Sequence, residues 1–488
     1  MTTAAAGPGS APKRTMVHAP GADPARRRVL PRSRPVTCVL SRGQVGGVME
    51  WATMAQADGE PDRVVVDRSE GFGERLLGVL LDRAHEMPPQ LIAPLIAEEV
   101  GIVGGREVSI LLQDYEQLML VPLRGRRLRV GEPQPIDASP AGTAFLRAAA
   151  VEVVQPDGVR MYLPLLDGSD QVGVLALTLD TVDDDDRRLL RRLAGLVADM
   201  LVTKNGYTDE FFKARRLVPM TTAAEIQWSL LPPLTMSTPQ VEVAGILEPA
   251  YRVAGDSFDY ALNGDILHVA VIDAMGHGLD AAVMATVAIG AYRHSRRSGI
   301  ALAETYAFMD TAIGGQFGPE QFVTAHMMQL DVASGRLQWV NAGHPAPLLI
   351  RDHDVVQQLK GPTTLPVGFG GEQPRISEQL LQRGDRVLFF TDGLVEEHLA
   401  GGEQFGEEQL IDVVTRVGRA HVGLRSTVRA LSHTLKQARG GATSDDATLF
   451  LVEWRGGSAD HLATAGWDDS AGTPPGRPGS TRDRPPAG

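Results

Sequence analysis

Two apolar rhythms run along the chain, one with helical spacing and one alternating or continuous over short runs, and together they mark out two long regions. In the first, about 69–203, helical spacing over 72–84 and 91–100 gives way to β-prone runs at 108–112, 118–123, 160–165 and 171–177. The last two runs flank Asp167-Gly-Ser169, a turn signal. Asp183-Asp-Asp-Asp186 then precedes Leu189, Leu190, Leu193, Val197 and Leu201, a helical stripe whose acidic start suits the positive end of a helix dipole. This pattern predicts a small α/β domain with helices at both ends.

Residues 204–234 predict a helical connector. Phe211, Phe212 and Leu217 are spaced as on one helix face, and Pro219 interrupts them. Thr222-Ala-Ala-Glu225 has the form of a capping box ahead of Ile226, Leu230 and Leu231, and Pro232-Pro233 ends the helix. In the second long region, 241–247 predicts a strand and 257–271 a hairpin around Asn263-Gly264. Helical patterns at 280–293, 302–313, 409–417 and 426–437 are interspersed with strand runs at 322–331, 335–341, 347–351, 386–390 and 447–454. Hairpin-joined strands with paired helices predict two sheets packed face to face and helices outside, an α+β fold.

The ends carry neither rhythm. Residues 1–67 are rich in Ala, Gly, Pro and Arg, with basic clusters at Arg26-Arg-Arg28 and Arg32-Ser-Arg34, and 456–488 contains Pro474-Pro475 and Pro485-Pro486. Neither segment can bury enough apolar surface to offset its chain entropy, so both are expected to be disordered. The expected organisation is therefore 1–67 basic N-terminal segment, 68–203 first domain, 204–235 linker, 236–455 second domain and 456–488 tail.

Composition narrows the partners. With 488 residues and 43% hydrophobic content there is a core for each domain, and a net charge of −13 argues against nucleic acid as the partner. Cys38 is the only cysteine, which excludes intramolecular disulfides and Cys-based zinc sites. No signal-peptide pattern and no apolar run of membrane-spanning length is present, so a cytoplasmic protein without a membrane partner is expected.

The candidate chemistry lies where strands end. Val269-Ala-Val-Ile-Asp-Ala-Met-Gly-His-Gly278 is an apolar run closing on Asp273 and two glycines, and a lone Asp there most often caps the following helix. Its company changes that reading. Gly255-Asp-Ser-Phe-Asp259, Phe389-Phe-Thr-Asp-Gly-Leu-Val-Glu396 and Thr443-Ser-Asp-Asp-Ala-Thr448 each put an acid beside a β-prone run, so one sheet edge could gather several carboxylates. Crowded carboxylates repel unless cations neutralise them, and Mg²⁺ and Mn²⁺ prefer oxygen ligands. A two-metal site is the simplest reading. Asp183-Asp-Asp-Asp186, by contrast, fits an exposed helix start.

Two resemblances follow. Leu163-Pro-Leu165, Gly173-Val-Leu-Ala-Leu177, Asp186-Arg187 and the stripe from Leu189 to Ala194 resemble the end of a GAF domain, over most of 69–203. That implies a sensor which either binds a small effector or serves as a homodimer contact, and no Cys or His marks a haem, bilin or metal site there. The second is more specific. Gly255-Asp256, Phe258-Asp259, Asp273-Ala-Met-Gly-His-Gly278, Asn341-Ala-Gly-His344-Pro345, Asp392-Gly393 with Glu396, and Asp445-Asp446-Ala-Thr448 resemble, in order, the motifs of the metal-dependent type 2C (PPM) protein phosphatases in their SpoIIE-like bacterial branch. Ala254 stands where the first motif has glycine.

This second resemblance implies an αββα sandwich with two Mn²⁺ or Mg²⁺ ions at one edge. Asp273 is similar to the acid bridging both metals, Ala274 to the residue lending a backbone carbonyl, and Asp392 and Asp445 to ligands of the second metal. Asp256 corresponds to an outer acid that orients metal-bound water, with Asp259 the next candidate and Asp446 either adjacent or supporting. The implied mechanism is attack of a bridging water on a phosphoserine or phosphothreonine, without a covalent nucleophile. His277, His344 and His398 are expected to be structural more often than catalytic, and no arginine matches a phosphate-gripping one. The implied partner is a phosphorylated protein, by family analogy a STAS-domain anti-sigma factor antagonist. A non-catalytic signalling scaffold and a hydrolase of small phosphoesters are the alternatives.

Overall fold

The structure, a computed structural model, describes residues 70–167, 170–252, 255–395, 405–420, 423–438 and 446–457. The expected disordered ends lie outside the described residues, apart from the few that border them. The chain divides into two compact units, Met1–Arg63 and Val64–Gly488, and everything below concerns the second.

Its N-terminal part contains α1 (Glu70–Glu86), α2 (Pro89–Ile102), β1 (Arg106–Gln113), β2 (Met119–Pro122), β3 (Gln134–Pro135), α3 (Pro140–Arg147), β4 (Val151–Gln155), β5 (Gly158–Asp167), β6 (Asp170–Leu179) and α4 (Asp184–Asn205). The strands form an antiparallel sheet in the order β3-β2-β1-β6-β5-β4. Helices α1, α2 and α4 cover one face, where Ile92, Ile96, Leu193 and Val197 meet Ile110, Leu112, Leu163 and Leu175. On the other face, α3 packs Phe145 against Leu111, Leu120 and Val174. The acidic start of α4 is a reciprocal cap: Asp183 accepts from the Asp186 amide, and Asp186 accepts from the Asp183 amide.

The connector differs from expectation at two points. Helix α5 (Glu210–Arg215) stops before Leu217, because Arg216 turns into extended backbone on the way to Pro219. Helix α6 (Thr222–Leu230) is capped by Thr221, one residue earlier than the expected Thr222; the extended Thr221 accepts through Oγ1 from the Ala224 amide at 3.2 Å.

The C-terminal part is built from β7 (Thr235–Ser237), β8 (Val241–Glu248), β9 (Asp256–Asn263), β10 (Ile266–Ala274), α7 (Leu279–Arg297), α8 (Leu302–Gln316), β11 (Val323–Asp331), β12 (Arg336–Ala342), β13 (Leu348–Arg351), β14 (Asp354–Gln358), β15 (Thr363–Thr364), β16 (Ser377–Leu380), β17 (Arg386–Phe390), a 3₁₀ turn (Asp392–Leu394), α9 (Gly406–Ala420), α10 (Leu424–Ala438) and β18 (Ala447–Trp454). One sheet runs β15-β12-β11-β10-β9, with β16 also on β12; the other runs β14-β13-β17-β18-β8-β7. Their inner faces interlock through Phe258, Val269, Val271 and Met328 against Val243, Phe389, Phe450 and Val452. Helices α7 and α8 cover the first sheet and α9 and α10 the second, giving four layers in the order helix, sheet, sheet, helix.

The two parts touch. Tyr115, in the β1–β2 turn, has its ring 4.8 Å from Trp228 of α6 and 6.3 Å from Tyr251. Arg425 of α10 donates to Gln171 at 3.1 Å, and Arg429 meets Asp137 at 3.1 Å. No helix among the described residues is long and apolar enough to cross a membrane.

Candidate active site

Strand alternation assembles the site. Phe258 and Tyr260 face the space between the sheets from β9, so Asp256 does too. Asp273 extends the inward series Leu267, Val269, Val271 on β10, and is the direct ladder partner of Asp256. On the second sheet the inward series runs Val387, Phe389, Thr391 along β17 and just after it, and Val452, Phe450, Thr448, Asp446 along β18 and just before it. Two sheets therefore bring Asp256, Asp273, Thr391, Thr448 and Asp446 to the same end of the sandwich.

Asp256 is the most enclosed of these acids, 1% exposed. Its Oδ2 accepts from Thr391 Oγ1 at 2.6 Å and Thr448 Oγ1 at 2.8 Å, and Thr391 Oγ1 itself accepts from the Thr448 amide at 2.9 Å. Burial first, and then the neighbouring Asp273 and Asp446 carboxylates, push its pKa well above the usual carboxylate range, while the two hydroxyls pull the other way. Asp446 Oδ2 accepts from the Gly255 amide at 2.6 Å. From α6, the buried Gln227 donates through Nε2 to the Asp256 carbonyl.

Gly255 allows the close approach of β9 and β10. A Cβ there would stand 2.6 Å from the Ala274 carbonyl oxygen and 3.3 Å from Asp273 Oδ1. Ala274 is fully buried and its amide donates to the Gly255 carbonyl at 3.1 Å. Beyond it the chain turns through Gly276 and Gly278, both at positive φ (95° and 76°), before α7 begins. Met275 and His277 are exposed on that turn.

The structure decides among the other predicted residues. Asp392 opens the 3₁₀ turn directly after Thr391 and is half-buried. Asp445, Glu396 and His398 lie outside the described residues. Asp259 does not join the site: it sits on the opposite face of β9, where Arg293 and Arg296 of α7 hold it at 2.7 Å each. Asp446 does join, through Gly255. His344 orders a turn, its amide donating to Asn341 Oδ1 at 2.9 Å and its carbonyl accepting from Asn341 Nδ2 at 2.8 Å. Among the described residues no group of three or more His, Cys, Asp or Glu is arranged to hold a metal ion.

Sequence reasoning gave no role to Thr391 and Thr448, although both stand in the quoted motifs. The signal was parity: each lies two residues from an inward phenylalanine, Phe389 or Phe450. It also missed Gln227, whose contact depends on how α6 packs.

The four-layer sandwich with paired acids at one end of its two sheets is the PP2C-like phosphatase fold. Residues 263–455 match the family model described as Stage II sporulation protein E (SpoIIE). The match begins after Asp256. Phosphoserine phosphatase RsbP of Bacillus subtilis (strain 168) is 26% identical over 163 residues, covering 32% of this chain and 40% of that protein. Phosphoserine phosphatase RsbU of the same organism is 20% identical over 175 residues, covering 36% of this chain and 52% of that protein. The chain thus spans about half or less of these relatives' length. Among solved structures, the SiaA-PP2C domain of Pseudomonas aeruginosa is similar at 23% identity and a TM-score of 0.41, covering 48% of this chain and 94% of that one.

Proposed function

We propose that the protein is a metal-dependent phosphoprotein phosphatase acting on phosphoserine or phosphothreonine. The observation that carries this reading is the ladder pair Asp256 and Asp273 with Asp446 beside it, carboxylates gathered on the facing surfaces of two sheets in a SpoIIE-family domain. A donor set of carboxylate oxygens, with the burial and the repulsion that raise the pKa of Asp256, fits hard divalent cations. Asp273, Asp392 and Asp445 would hold two Mn²⁺ or Mg²⁺ ions together with the Ala274 carbonyl. Such a pair supplies an activated water and neutralises charge on the phosphoryl oxygens.

The chain's own groups set the geometry. Thr391 and Thr448 fix the Asp256 carboxylate in one orientation, and Asp446 anchors Gly255, so the strand end carrying Asp256 is held against Ala274. The exposed turn from Met275 to Gly278 leaves the approach to Asp273 open to a protein-borne phosphate. The finer reading, that the substrate is a STAS-domain anti-sigma factor antagonist, draws support from the RsbP and RsbU relatives. A regulatory role for a GAF-like N-terminal domain draws support from the contacts of Tyr115, Arg425 and Arg429 between the two parts.

The test is phosphate release from p-nitrophenyl phosphate and from a phosphoserine-bearing STAS-domain protein, with Mn²⁺, with EDTA, and in Asp273→Ala and Asp392→Ala. Hydrolysis that requires metal, disappears in both variants and favours the phosphoprotein is expected. Activity persisting in EDTA would sink the metal reading, faster turnover of free phosphometabolites would transfer it to small phosphoesters, and silence with every substrate would make the protein a scaffold.

A further inference from the structure

Where the N-terminal sheet, α4, α5 and the connector meet there is a cavity of about 420 Å³. That is within the range of small-molecule sites, which favour junctions between domains. It lies away from the carboxylates of the candidate active site and shares no lining residue with them. Its wall is mainly aromatic and apolar: Tyr115 and Phe211, both nearly fully buried, with Phe212, Trp228 and Leu201.

Two charged residues enter this wall, Asp170 and Arg215, and their situations differ. Asp170 accepts from the Thr235 hydroxyl at 3.0 Å and from the Gln171 amide at 2.8 Å, so its Oδ1 is already occupied by protein donors. Arg215 commits Nε to the Gln113 carbonyl at 2.7 Å and lays its guanidinium 4.6 Å over the Tyr115 ring. That bond and that stacking fix the plane of a fork whose two terminal amino groups suit bidentate recognition of a planar anion. Flat aromatic walls beside a pre-oriented guanidinium define the chemistry of the occupant.

We propose that this junctional cavity binds a small aromatic anion, a carboxylate or sulfonate on a planar ring system, with Arg215 meeting the anionic group and Tyr115, Phe212 and Trp228 meeting the ring. Because the wall includes both the N-terminal sheet and α6, an occupant joins the two. The proposal does not depend on the phosphatase reading: it concerns binding, and is measured without substrate.

The probe is 1-anilinonaphthalene-8-sulfonate, titrated into the full-length protein, with the uncharged N-phenyl-1-naphthylamine as its counterpart. Saturable binding of one anion per chain is expected, with energy transfer from tryptophan that Trp228→Phe reduces. Arg215→Gln should weaken the anion about tenfold and leave the uncharged probe unchanged, the loss of one charge-assisted contact. Ser229→Trp, a substitution at an exposed helix position that fills the cavity, should abolish binding of both, with thermal unfolding confirming that each variant is folded. Binding of many probes per chain, equal affinity for the two probes, or affinity unchanged in folded Arg215→Gln and Ser229→Trp would overturn the assignment.

Discussion

Asp256 and Asp259 stand three residues apart on one strand, and their surroundings make opposite demands. Among the described residues, Asp256 is buried beside two other carboxylates with hydroxyl partners for its own, so its charge is costly within the protein alone. Asp259 is buried between two guanidinium groups, so its charge ties α7 to β9. Removing one partner of a buried ion pair leaves the others uncompensated and costs roughly 3–5 kcal/mol. Asp259→Asn should therefore lower unfolding stability by about 3 kcal/mol in urea titration while the folded fraction keeps its hydrolytic rate. Asp256→Asn should leave stability unchanged or raise it, and reduce hydrolysis by about 10–100-fold, as expected for a group that orients a metal site. Comparable losses of activity in folded samples of both variants would show that the face of the strand does not separate their roles.

At the scale of elements, the site depends on how closely the ends of β9 and β10 approach. A methyl at position 255 would lie 2.6 Å from a backbone oxygen, too close for any rotamer to relieve, so the strands must move apart. Gly255→Ala should cost about 1–3 kcal/mol and, by shifting Asp273 relative to Asp256, lower activity more than stability. Gly290→Ala on α7, where nothing lies within 4 Å, is the control and should stabilise by about 0.5–1 kcal/mol. Equal behaviour of the two variants would refute the close-approach argument. The β9–β10 hairpin was legible in the sequence because Asn263-Gly264 specifies a tight turn and the flanking runs are long and apolar. The helices α4, α7 and α8 were legible from their spacing for the same reason of length. Strands such as β4, with alternating half-exposed and exposed positions, and β14 to β16 were not, since short edge strands bury too little to leave a pattern. In the site, the motifs pointed to Asp256 and Asp273, and the structure brings them together. Choosing between Asp256 and Asp259 needed the parity of the strand, and the support from Gln227 needed tertiary packing that no local pattern encodes.

For the whole molecule, the sandwich that presents acids at its end also encloses uncharged histidines. His326 lies on the inner face of β11, 5.4 Å from the Phe389 ring, and neither ring nitrogen has a hydrogen-bond partner among the described residues. Burial, with His344 nearby, holds its pKa well below the ordinary value; burial pulls His344 down to about 3 and lowers His268 as well. His326 and His344 stay neutral in the folded state while the unfolded chain takes up protons as the pH falls below about 6.5. At these two sites the unfolded state then binds more protons, so their contribution to stability decreases from about pH 6.5 downward, by up to about 1.4 kcal/mol per pH unit for each of the two, until the folded-state pKa is reached. Urea unfolding at about pH 7.5, 6.5 and 5.5 reads this before most carboxylates titrate. Between about pH 6.5 and 5.5 the native protein should lose more stability than His326→Phe does, with no such difference between about pH 7.5 and 6.5. His326→Phe, which replaces the unpaired ring with an apolar one against Phe389, should flatten the lower interval by about one histidine's share. If the slope were the same in His326→Phe, the acid sensitivity would have to come from other groups, and His326 would be irrelevant to it.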